Sequence, residues 1–186
     1  MNRGVNDWLI SLLDIQSTND VLELGFGPGQ AIRRVAGMLS SGKVYGVDMS
    51  PTMVSQAQRL NRAAIEQGRV ELKLGQASAL PYPNATFDRV FCANVIYFWP
   101  HPQVELGQML RVARPGAKIA IYMGDKTQMA NIPMTQTGLF ILHEPLDILQ
   151  LIKSLGIQDV EIFENSIAQG PISRGACIVG KVPFGL

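Results

Sequence analysis

Short apolar runs alternate with amphipathic stretches along most of the chain. Runs that are continuously apolar or that alternate with polar residues predict strands, and apolar residues that recur every three or four positions predict helices. The predicted strands are 21–24, 43–48, 70–74, 88–94, 118–123, 160–163 and 176–182. The predicted helices are 8–15, 30–39, 51–67, 104–113 and 146–155. A predicted helix therefore separates each pair of consecutive strands among the first five, except the third and fourth.

This alternation predicts an α/β fold, because strands separated by helices form parallel βαβ units with right-handed crossovers. The last two strands have no helix between them, and Gly170-Pro171 interrupts their link. We predict that they form an antiparallel hairpin at the sheet edge. The expected architecture is a Rossmann-like, doubly wound sheet of seven mostly parallel strands, six running one way and one the other. A length of 186 residues predicts a single domain over 1–186.

The first predicted strand runs directly into alternating glycines. Its apolar residues 21–24 precede Gly25-Phe26-Gly27-Pro28-Gly29, and a helical pattern begins at Gln30. Glycine permits positive φ and lets a ligand approach the backbone closely. The amides at a helix N-terminus point toward whatever binds there. A strand, a glycine loop and a helix in this order predict a site for a nucleotide-type cofactor.

An acidic residue, Asp48, closes the second predicted strand, about 20 residues beyond the glycine loop. A carboxylate at this place can accept hydrogen bonds from both hydroxyls of a ribose. Asp48 could instead cap the following helix, but Ser50 with Pro51 behind it is the better N-cap sequence. We therefore favour ribose binding.

The spacing of the glycines argues against a nicotinamide cofactor. Nicotinamide enzymes carry G-x-G-x-x-G, in which the third glycine packs the helix against the strand. Here the spacing is G-x-G-x-G, and Gln30 stands where that third glycine would be. Glu23 is a further departure, since a charged residue on a buried strand is costly unless it is paired. In a purely structural role, Glu23 would be a buried carboxylate that accepts hydrogen bonds from amides of the glycine loop.

Composition restricts the partners and the compartment. A net charge of +1 argues against nucleic acid as a partner. No apolar run reaches about 18 residues, which argues against a membrane span. The N-terminus lacks a signal-peptide pattern, so we expect a cytoplasmic protein. Cys92 and Cys177 lie in apolar runs, which predicts buried free thiols and no metal site.

Four segments together resemble the class I S-adenosylmethionine-dependent methyltransferases, specifically the methyltransferase-11 and ubiquinone/menaquinone methyltransferase type. The likeness extends from about 21 to 182, and all four segments follow in the family's order. They are Val21-Leu22-Glu23-Leu24-Gly25-Phe26-Gly27-Pro28-Gly29, Gly46-Val47-Asp48-Met49-Ser50-Pro51, Leu80-Pro81-Tyr82-Pro83-Asn84-Ala85-Thr86-Phe87-Asp88 and Leu110-Arg111-Val112-Ala113-Arg114-Pro115-Gly116-Ala117.

The resemblance implies S-adenosyl-L-methionine as cofactor and assigns roles to the first two strand ends. Asp48 would hold the ribose hydroxyls, and Met49 would pack on the adenine face. The methionine moiety would be surrounded by Glu23, Gly25, Phe26, Gly27 and Gly29.

The resemblance also assigns roles at the third and fourth strand ends. Family members often have Asp where this chain has Gln76, and that Asp accepts the adenine amino group. The carboxamide oxygen of Gln76 can accept the same bond. Ala77 would contribute its backbone amide. Asn94 would face the sulfonium and the amino-acid tail, or would simply turn the strand into a loop.

Methyl transfer from a sulfonium chiefly requires in-line alignment and exclusion of water. A weakly acidic acceptor would also need a base. His101, His143 and Asp125 are weak candidates, because lone loop histidines are more often surface or capping residues, and we assign no catalytic base.

Two further segments bear on the acceptor. Tyr97-Phe98-Trp99 could form an aromatic wall or pack the sheet edge. Residues 123–143 take a lid position, and their apolar character suits a small, apolar acceptor, although a homodimer surface or a core flap fits equally.

The predicted function is therefore methyl transfer from S-adenosyl-L-methionine to a small-molecule acceptor. The alternative is a non-catalytic S-adenosylmethionine-binding or scaffold protein, which Gln76 and the missing base keep open. A nicotinamide oxidoreductase ranks third. Nucleic-acid methylation is disfavoured, since Asn94-Val95-Ile96-Tyr97 replaces the Asn-Pro-Pro-Tyr type of tetrad.

Overall fold

The computed structural model describes residues 3–168 and 170–184, in which seven strands form one sheet in the order β3-β2-β1-β4-β5-β7-β6. The strands are β1 Val21–Leu24, β2 Val44–Asp48, β3 Val70–Leu74, β4 Phe87–Ala93, β5 Ala113–Gly124, β6 Gln158–Asn165 and β7 Gly175–Lys181.

Strand directions follow the prediction. The strands β1 to β5 pair in parallel, and β7 pairs antiparallel with both β5 and β6. Six strands therefore run one way and β7 runs the other, which confirms the edge hairpin. The strand order reverses between β1 and β4, and Leu24 pairs with both Val47 and Cys92. The carboxyl ends of three strands thus meet at the switch point, where ligands bind in open α/β sheets.

Helices cover both faces of the sheet. They are α1 Arg3–Leu12, α2 Gln30–Ala36, α3 Pro51–Leu60, α4 Arg62–Glu66, α5 Pro102–Val112, α6 Lys126–Ala130 and α7 Pro145–Ser154. In one apolar cluster, the helices α1, α2 and α3 pack against one face of the sheet through residues such as Leu9 and Ile32. A second joins α5 and α7 to the other face through Met109 and Ile148. The doubly wound architecture is confirmed.

The helix predicted over 51–67 is interrupted. It begins as expected, since Ser50 Oγ accepts a hydrogen bond from the Met53 amide. It breaks at Asn61, where the backbone leaves helical geometry. The buried Asn61 side chain donates to the carbonyls of Ala57 and Gly29. These bonds tie the break to the glycine loop, a relationship that no local pattern reveals.

Residues 114–117, which separate the predicted helix 104–113 from the predicted strand 118–123, belong to β5 in the structure. As β4 advances from Phe87 to Arg89, its partner on β5 moves from Ala113 to Lys118. Gly116 supplies the positive φ of 81° that this irregularity requires. The segment 123–143 also differs from a plain loop, because it contains α6 and a 3-10 turn at Pro133–Gln136.

Other sequence expectations concern the core and the membrane. Cys92 and Cys177 are buried free thiols, as predicted. Within residues 3–168 and 170–184, every helix is too short or too polar to cross a bilayer.

Candidate functional site

A cavity of about 550 Å³ opens at the carboxyl ends of β1 to β4. We call it the strand-end cavity. Its volume falls within the range of about 300–1,000 Å³ that is typical of small-molecule sites. The residues predicted for the site that line it are Gly25, Gly27, Asp48, Met49, Gln76, Ala77 and Asn94.

Two glycines bring backbone to the cavity wall. A Cβ at Gly25, where φ is 63°, would lie 2.5 Å from a Val95 methyl. At Gly27 φ is 53°, and a Cβ there would meet no atom within 4 Å. The backbone of Gly27 therefore borders open space that a side chain would fill, so a ligand can approach it closely.

The Asp48 carboxylate joins β2 to the glycine loop. Its Oδ2 accepts a hydrogen bond from the Gly27 amide at 2.8 Å, and its Oδ1 accepts one from the Ser50 amide at 2.9 Å. The residue is 7% exposed. Each carboxylate oxygen has two acceptor positions, so the group can still receive bonds from ribose hydroxyls. Ser50 itself caps α3, as the sequence predicted.

Glu23 is buried behind this wall. Burial and the neighbouring Asp48 charge raise the pKa of its carboxyl well above the usual value, and a backbone hydrogen bond from Ile32 opposes that rise. Its Oε2 has no hydrogen-bond partner among the described residues. The hydrogen bond that Glu23 does accept comes from the backbone of Ile32 in α2, whereas the sequence predicted a bond from amides of the glycine loop. The site thus holds an unsatisfied acceptor close to the glycine loop.

Three residues predicted for the site lie outside the lining of the strand-end cavity, namely Glu23, Phe26 and Gly29. Phe26 packs closely on Gly46, where a Cβ would lie 2.5 Å from its ring. Gly29 packs on α3, and a Cβ there would meet Ala57 and Asn61 at 2.7 Å. They shape the glycine loop from behind.

Asn94 lies just beyond β4 with a φ of 57°. Asn tolerates this left-handed conformation better than most residues, so it does turn the strand into the following loop. Its Oδ1 also accepts a hydrogen bond from the Tyr97 hydroxyl at 3.4 Å. Asn94 nevertheless lines the cavity, so both roles that the sequence left open are compatible with its position.

The three aromatic residues after β4 separate. Phe98 and Trp99 line the strand-end cavity, whereas Tyr97 is buried in the core and accepts a hydrogen bond from the Gly124 amide. Phe140 packs on Phe98 with ring centroids 4.8 Å apart. The Ile141 amide donates to the Tyr97 carbonyl at 2.9 Å. The predicted lid is thereby joined to the aromatic wall.

Glu105 is a cavity residue that the sequence interpretation missed. It lies on α5, is 7% exposed and lines the strand-end cavity. Its Oε2 has no hydrogen-bond partner among the described residues. A signal was available, since Glu105 lies four and seven positions before Met109 and Val112 and so falls on the apolar face of the helix.

The candidate bases lie elsewhere. His101 is exposed, and His143 is half-buried outside the cavity, where burial and Lys126 lower its pKa. Asp125 caps α6 by accepting a hydrogen bond from Gln128. Among the described lining residues, the ionisable side chains are Asp48 and Glu105.

Tyr122 and Lys126 have the Tyr-x-x-x-Lys spacing of some nicotinamide enzymes, which the sequence interpretation overlooked. The structure does not make them a catalytic pair. Tyr122 is fully buried, burial raises its pKa to about 12, and neither residue lines the strand-end cavity. Within the described ranges, no cluster of His, Cys, Asp or Glu could hold a metal ion.

The fold and the site together define a doubly wound α/β protein with a nucleotide-type ligand cavity at the switch point. Residues 21–116 match the family model described as a methyltransferase domain, and the chain belongs to that family. It is a class I S-adenosylmethionine-dependent methyltransferase, as the four sequence segments predicted.

Relatives agree with this assignment. The chain is 27% identical over 166 residues to the uncharacterized methyltransferase YdaC of Bacillus subtilis (strain 168), covering 88% of this chain and 86% of that protein. It is 29% identical over 117 residues to 27-O-demethylrifamycin SV methyltransferase of Amycolatopsis mediterranei (strain S699). That match covers 63% of this chain and 43% of the relative, so the chain spans less than half of that longer protein.

Solved structures share the fold. The phosphoethanolamine N-methyltransferase 2 of Haemonchus contortus, in complex with S-adenosyl-L-methionine, has a TM-score of 0.80 at 18% identity, covering 97% of this chain and 53% of that one. The cyclase SpnF has a TM-score of 0.81 at 16% identity, covering 98% of this chain and 82% of that one. The fold therefore supports more than one type of chemistry.

Proposed function

We propose that the strand-end cavity binds S-adenosyl-L-methionine and that the chain transfers its methyl group to a small, apolar acceptor. The observation that carries this proposal is the convergence of the Gly27 backbone, the Asp48 carboxylate and the Gln76 carboxamide on one cavity. In this arrangement Asp48 binds the ribose, Met49 and Gln76 border the adenine, and Gly25 and Asn94 border the methionine part.

The residues present fit this cofactor. The open space at Gly27 leaves room for a ligand against the backbone. Glu23 lies behind the glycine loop rather than in the cavity wall, and its unsatisfied Oε2 and raised pKa describe a carboxyl that a cation bound at the loop would stabilise in the ionised form. A sulfonium and an ammonium both carry such a charge. Met49, which is 68% exposed at the rim, offers apolar surface to a base.

Bound S-adenosyl-L-methionine supplies an activated methyl group whose departure leaves a neutral thioether. The residues of the chain therefore need to orient the acceptor and the cofactor and to exclude water. Holding two reactants in line can lower a barrier by about 7–11 kcal/mol. Phe98 and Trp99 form the wall of the strand-end cavity along which an acceptor would approach, and their rings exclude water from that approach.

The apolar character of the entrance favours an apolar acceptor. Phe98 is partly exposed at the cavity, and Phe140 of the segment 123–143 packs on it. The same segment exposes Met134, Leu139 and Ile141. This surface suits an acceptor with an aromatic or aliphatic body. If two copies of the chain paired through this surface, the second copy would cover part of the entrance to the strand-end cavity.

Calorimetric titration with S-adenosylmethionine, S-adenosylhomocysteine and NADH tests the cofactor. We expect micromolar binding of the first two and none of NADH, whereas binding of NADH alone would overturn the proposal. Release of S-adenosylhomocysteine then reports methyl transfer to a panel of apolar phenols and amines. Polar acceptors of the same size serve as the matched control, and turnover confined to them would contradict the apolar assignment.

A second candidate function is cofactor binding without methyl transfer. It is favoured by the cavity chemistry, since the only ionisable side chains among the described lining residues are the carboxylates of Asp48 and Glu105, and Asp48 is the proposed ribose ligand. Methyl transfer to a nucleophile that is already basic needs no base from the protein, which keeps the first proposal ahead. Tight binding of S-adenosylmethionine with no turnover across the whole acceptor panel would favour this second function.

A further inference from the structure

We propose that Glu105 accepts a hydrogen bond from the exocyclic amino group of the cofactor's adenine. The inference rests on the proposed function, because it takes the strand-end cavity to be the S-adenosylmethionine site. It assigns the recognition of the base to a residue on α5, in addition to the residues that follow β3.

Glu105 is a buried acceptor without a partner. It is 7% exposed, and its Oε2 is inaccessible to solvent and has no hydrogen-bond partner among the described residues. A buried polar atom that is left unsatisfied has lost its hydration without gaining a hydrogen bond, so such an atom in a cavity wall calls for a ligand donor. Glu105 also lines the strand-end cavity, so a ligand bound there can present a donor to its carboxylate.

The packing of α5 places Glu105 at the adenine end. The segment 75–86 and α5 both run from the carboxyl edge of the sheet to its amino edge. Two hydrogen bonds fix the alignment of this segment along α5. The Thr86 amide donates to the Val112 carbonyl, and the Leu80 amide donates to Gln108 Oε1. Glu105 precedes Gln108 by three residues, which is about 4.5 Å along a helix.

Because Gln108 lies beside Leu80, this displacement along the axis of α5 places Glu105 beside the residues that precede Leu80. These are Gln76, Ala77 and Ser78, which line the same cavity directly after β3. Asp48 lies at the end of β2, beside β3 in the sheet. A nucleoside whose ribose is on Asp48 therefore directs its base toward Gln76 and Glu105.

The chemistry matches the edge of adenine. The exocyclic amino group carries two N–H donors, and a carboxylate is an acceptor with no N–H of its own. Gln76 Oε1 already accepts a weak hydrogen bond from the Ser78 hydroxyl at 3.4 Å. Glu105 can take one amino hydrogen while the Gln76 carboxamide takes the other, so both donors are satisfied.

The test is a double-mutant cycle between protein and ligand. Calorimetry measures the binding of S-adenosylhomocysteine and of its purine analogue, in which hydrogen replaces the amino group at position 6. We expect the wild type to bind S-adenosylhomocysteine about 10- to 100-fold more tightly than the analogue. In Glu105→Ala this preference should fall below about threefold. Equal binding of both ligands by the wild type would overturn the inference without any variant.

Matched variants separate the alternatives. Gln76→Ala should retain part of the preference, and a preference that vanishes there but persists in Glu105→Ala would contradict the role of Glu105. The exposed Glu161→Ala controls for the loss of one negative charge and should leave the preference unchanged. Glu105→Gln keeps the shape of the side chain if Glu105→Ala folds poorly, and it should weaken binding of S-adenosylhomocysteine more than that of the analogue. Failure of the wild type to bind S-adenosylhomocysteine at all would overturn the proposed function and this inference with it.

Discussion

The Asp48 carboxylate accepts a hydrogen bond from the Gly27 amide at 2.8 Å, which joins the end of β2 to the middle of the glycine loop. Its other oxygen accepts from the Ser50 amide at 2.9 Å, next to the start of α3. One side chain thus holds two backbone segments at the cavity wall. The same side chain is the proposed ribose ligand, so loop geometry and cofactor binding depend on one residue.

Replacing Asp48 should therefore weaken cofactor binding. A hydrogen bond to a charged group contributes about 1.5–3 kcal/mol, so Asp48→Ala should weaken S-adenosylhomocysteine binding by at least about tenfold in calorimetry. Asp48→Asn keeps one acceptor oxygen and should lie between the wild type and Asp48→Ala. Unchanged affinity in Asp48→Ala would exclude Asp48 as the ribose ligand.

A Cβ at Gly27 should block the ligand without a clash in the free protein. Gly27→Ala places a methyl group in open space, at a φ of 53° that costs a non-glycine residue about 1–2 kcal/mol. Gly68→Ala is the matched control, because Gly68 has a φ of 72°, also has no atom near a Cβ and is exposed outside the cavity.

Both glycine variants should lose similar amounts of unfolding free energy in urea titrations. Calorimetry should show weaker binding of S-adenosylhomocysteine for Gly27→Ala alone. A Gly27→Ala protein that binds as tightly as Gly68→Ala would show that no ligand approaches the loop there.

The buried Glu23 should make stability depend on pH. Burial and Asp48 raise the pKa of its carboxyl above the ordinary value of 4.5, so the folded state keeps a proton that the unfolded state releases. The contribution of Glu23 to the free energy of unfolding should thus be fully present below the unfolded pKa and be lost as the pH rises through the native pKa. The slope for one proton is at most about 1.4 kcal/mol per pH unit.

Urea denaturation at a series of pH values checks this effect. Glu23→Gln should flatten the decline between about pH 5 and the raised native pKa, because the amide does not titrate. Glu161→Gln, at an exposed position, should keep the wild-type slope. Equal slopes in Glu23→Gln and the wild type would mean that Glu23 does not hold the proton.

Arg111 should anchor the segment that carries Gln76. Its guanidinium donates to the carbonyls of Tyr82 at 2.8 Å and Leu80 at 2.9 Å. Arg111→Ala should lower the unfolding free energy by about 1–3 kcal/mol and speed amide hydrogen exchange in residues 80–86. Arg62→Ala, which breaks an exposed pair with Glu66, should cost less than about 1 kcal/mol. Equal costs would contradict the anchoring role.

The strands were predictable because their signals are local. The strands β1 and β3 have the predicted bounds, since each is a short apolar or alternating run followed directly by glycine. The break at Asn61 was not predictable, because the bonds of its side chain to Gly29 join residues far apart in the chain. The irregularity within β5 likewise depends on its pairing with β4.

For the site, the sequence by itself determined which strand ends carry chemistry. Parallel strands bring their carboxyl ends to one edge, so Gly25, Asp48, Gln76 and Asn94 had to come together once the order of elements was set. Only the tertiary structure decided which side chains border the cavity and which lie behind it. Phe26 turns toward Gly46, while Glu105 faces the cavity from a helix packed beside the segment after β3. The direction of a side chain depends on the neighbour it packs against, and that neighbour is distant in sequence.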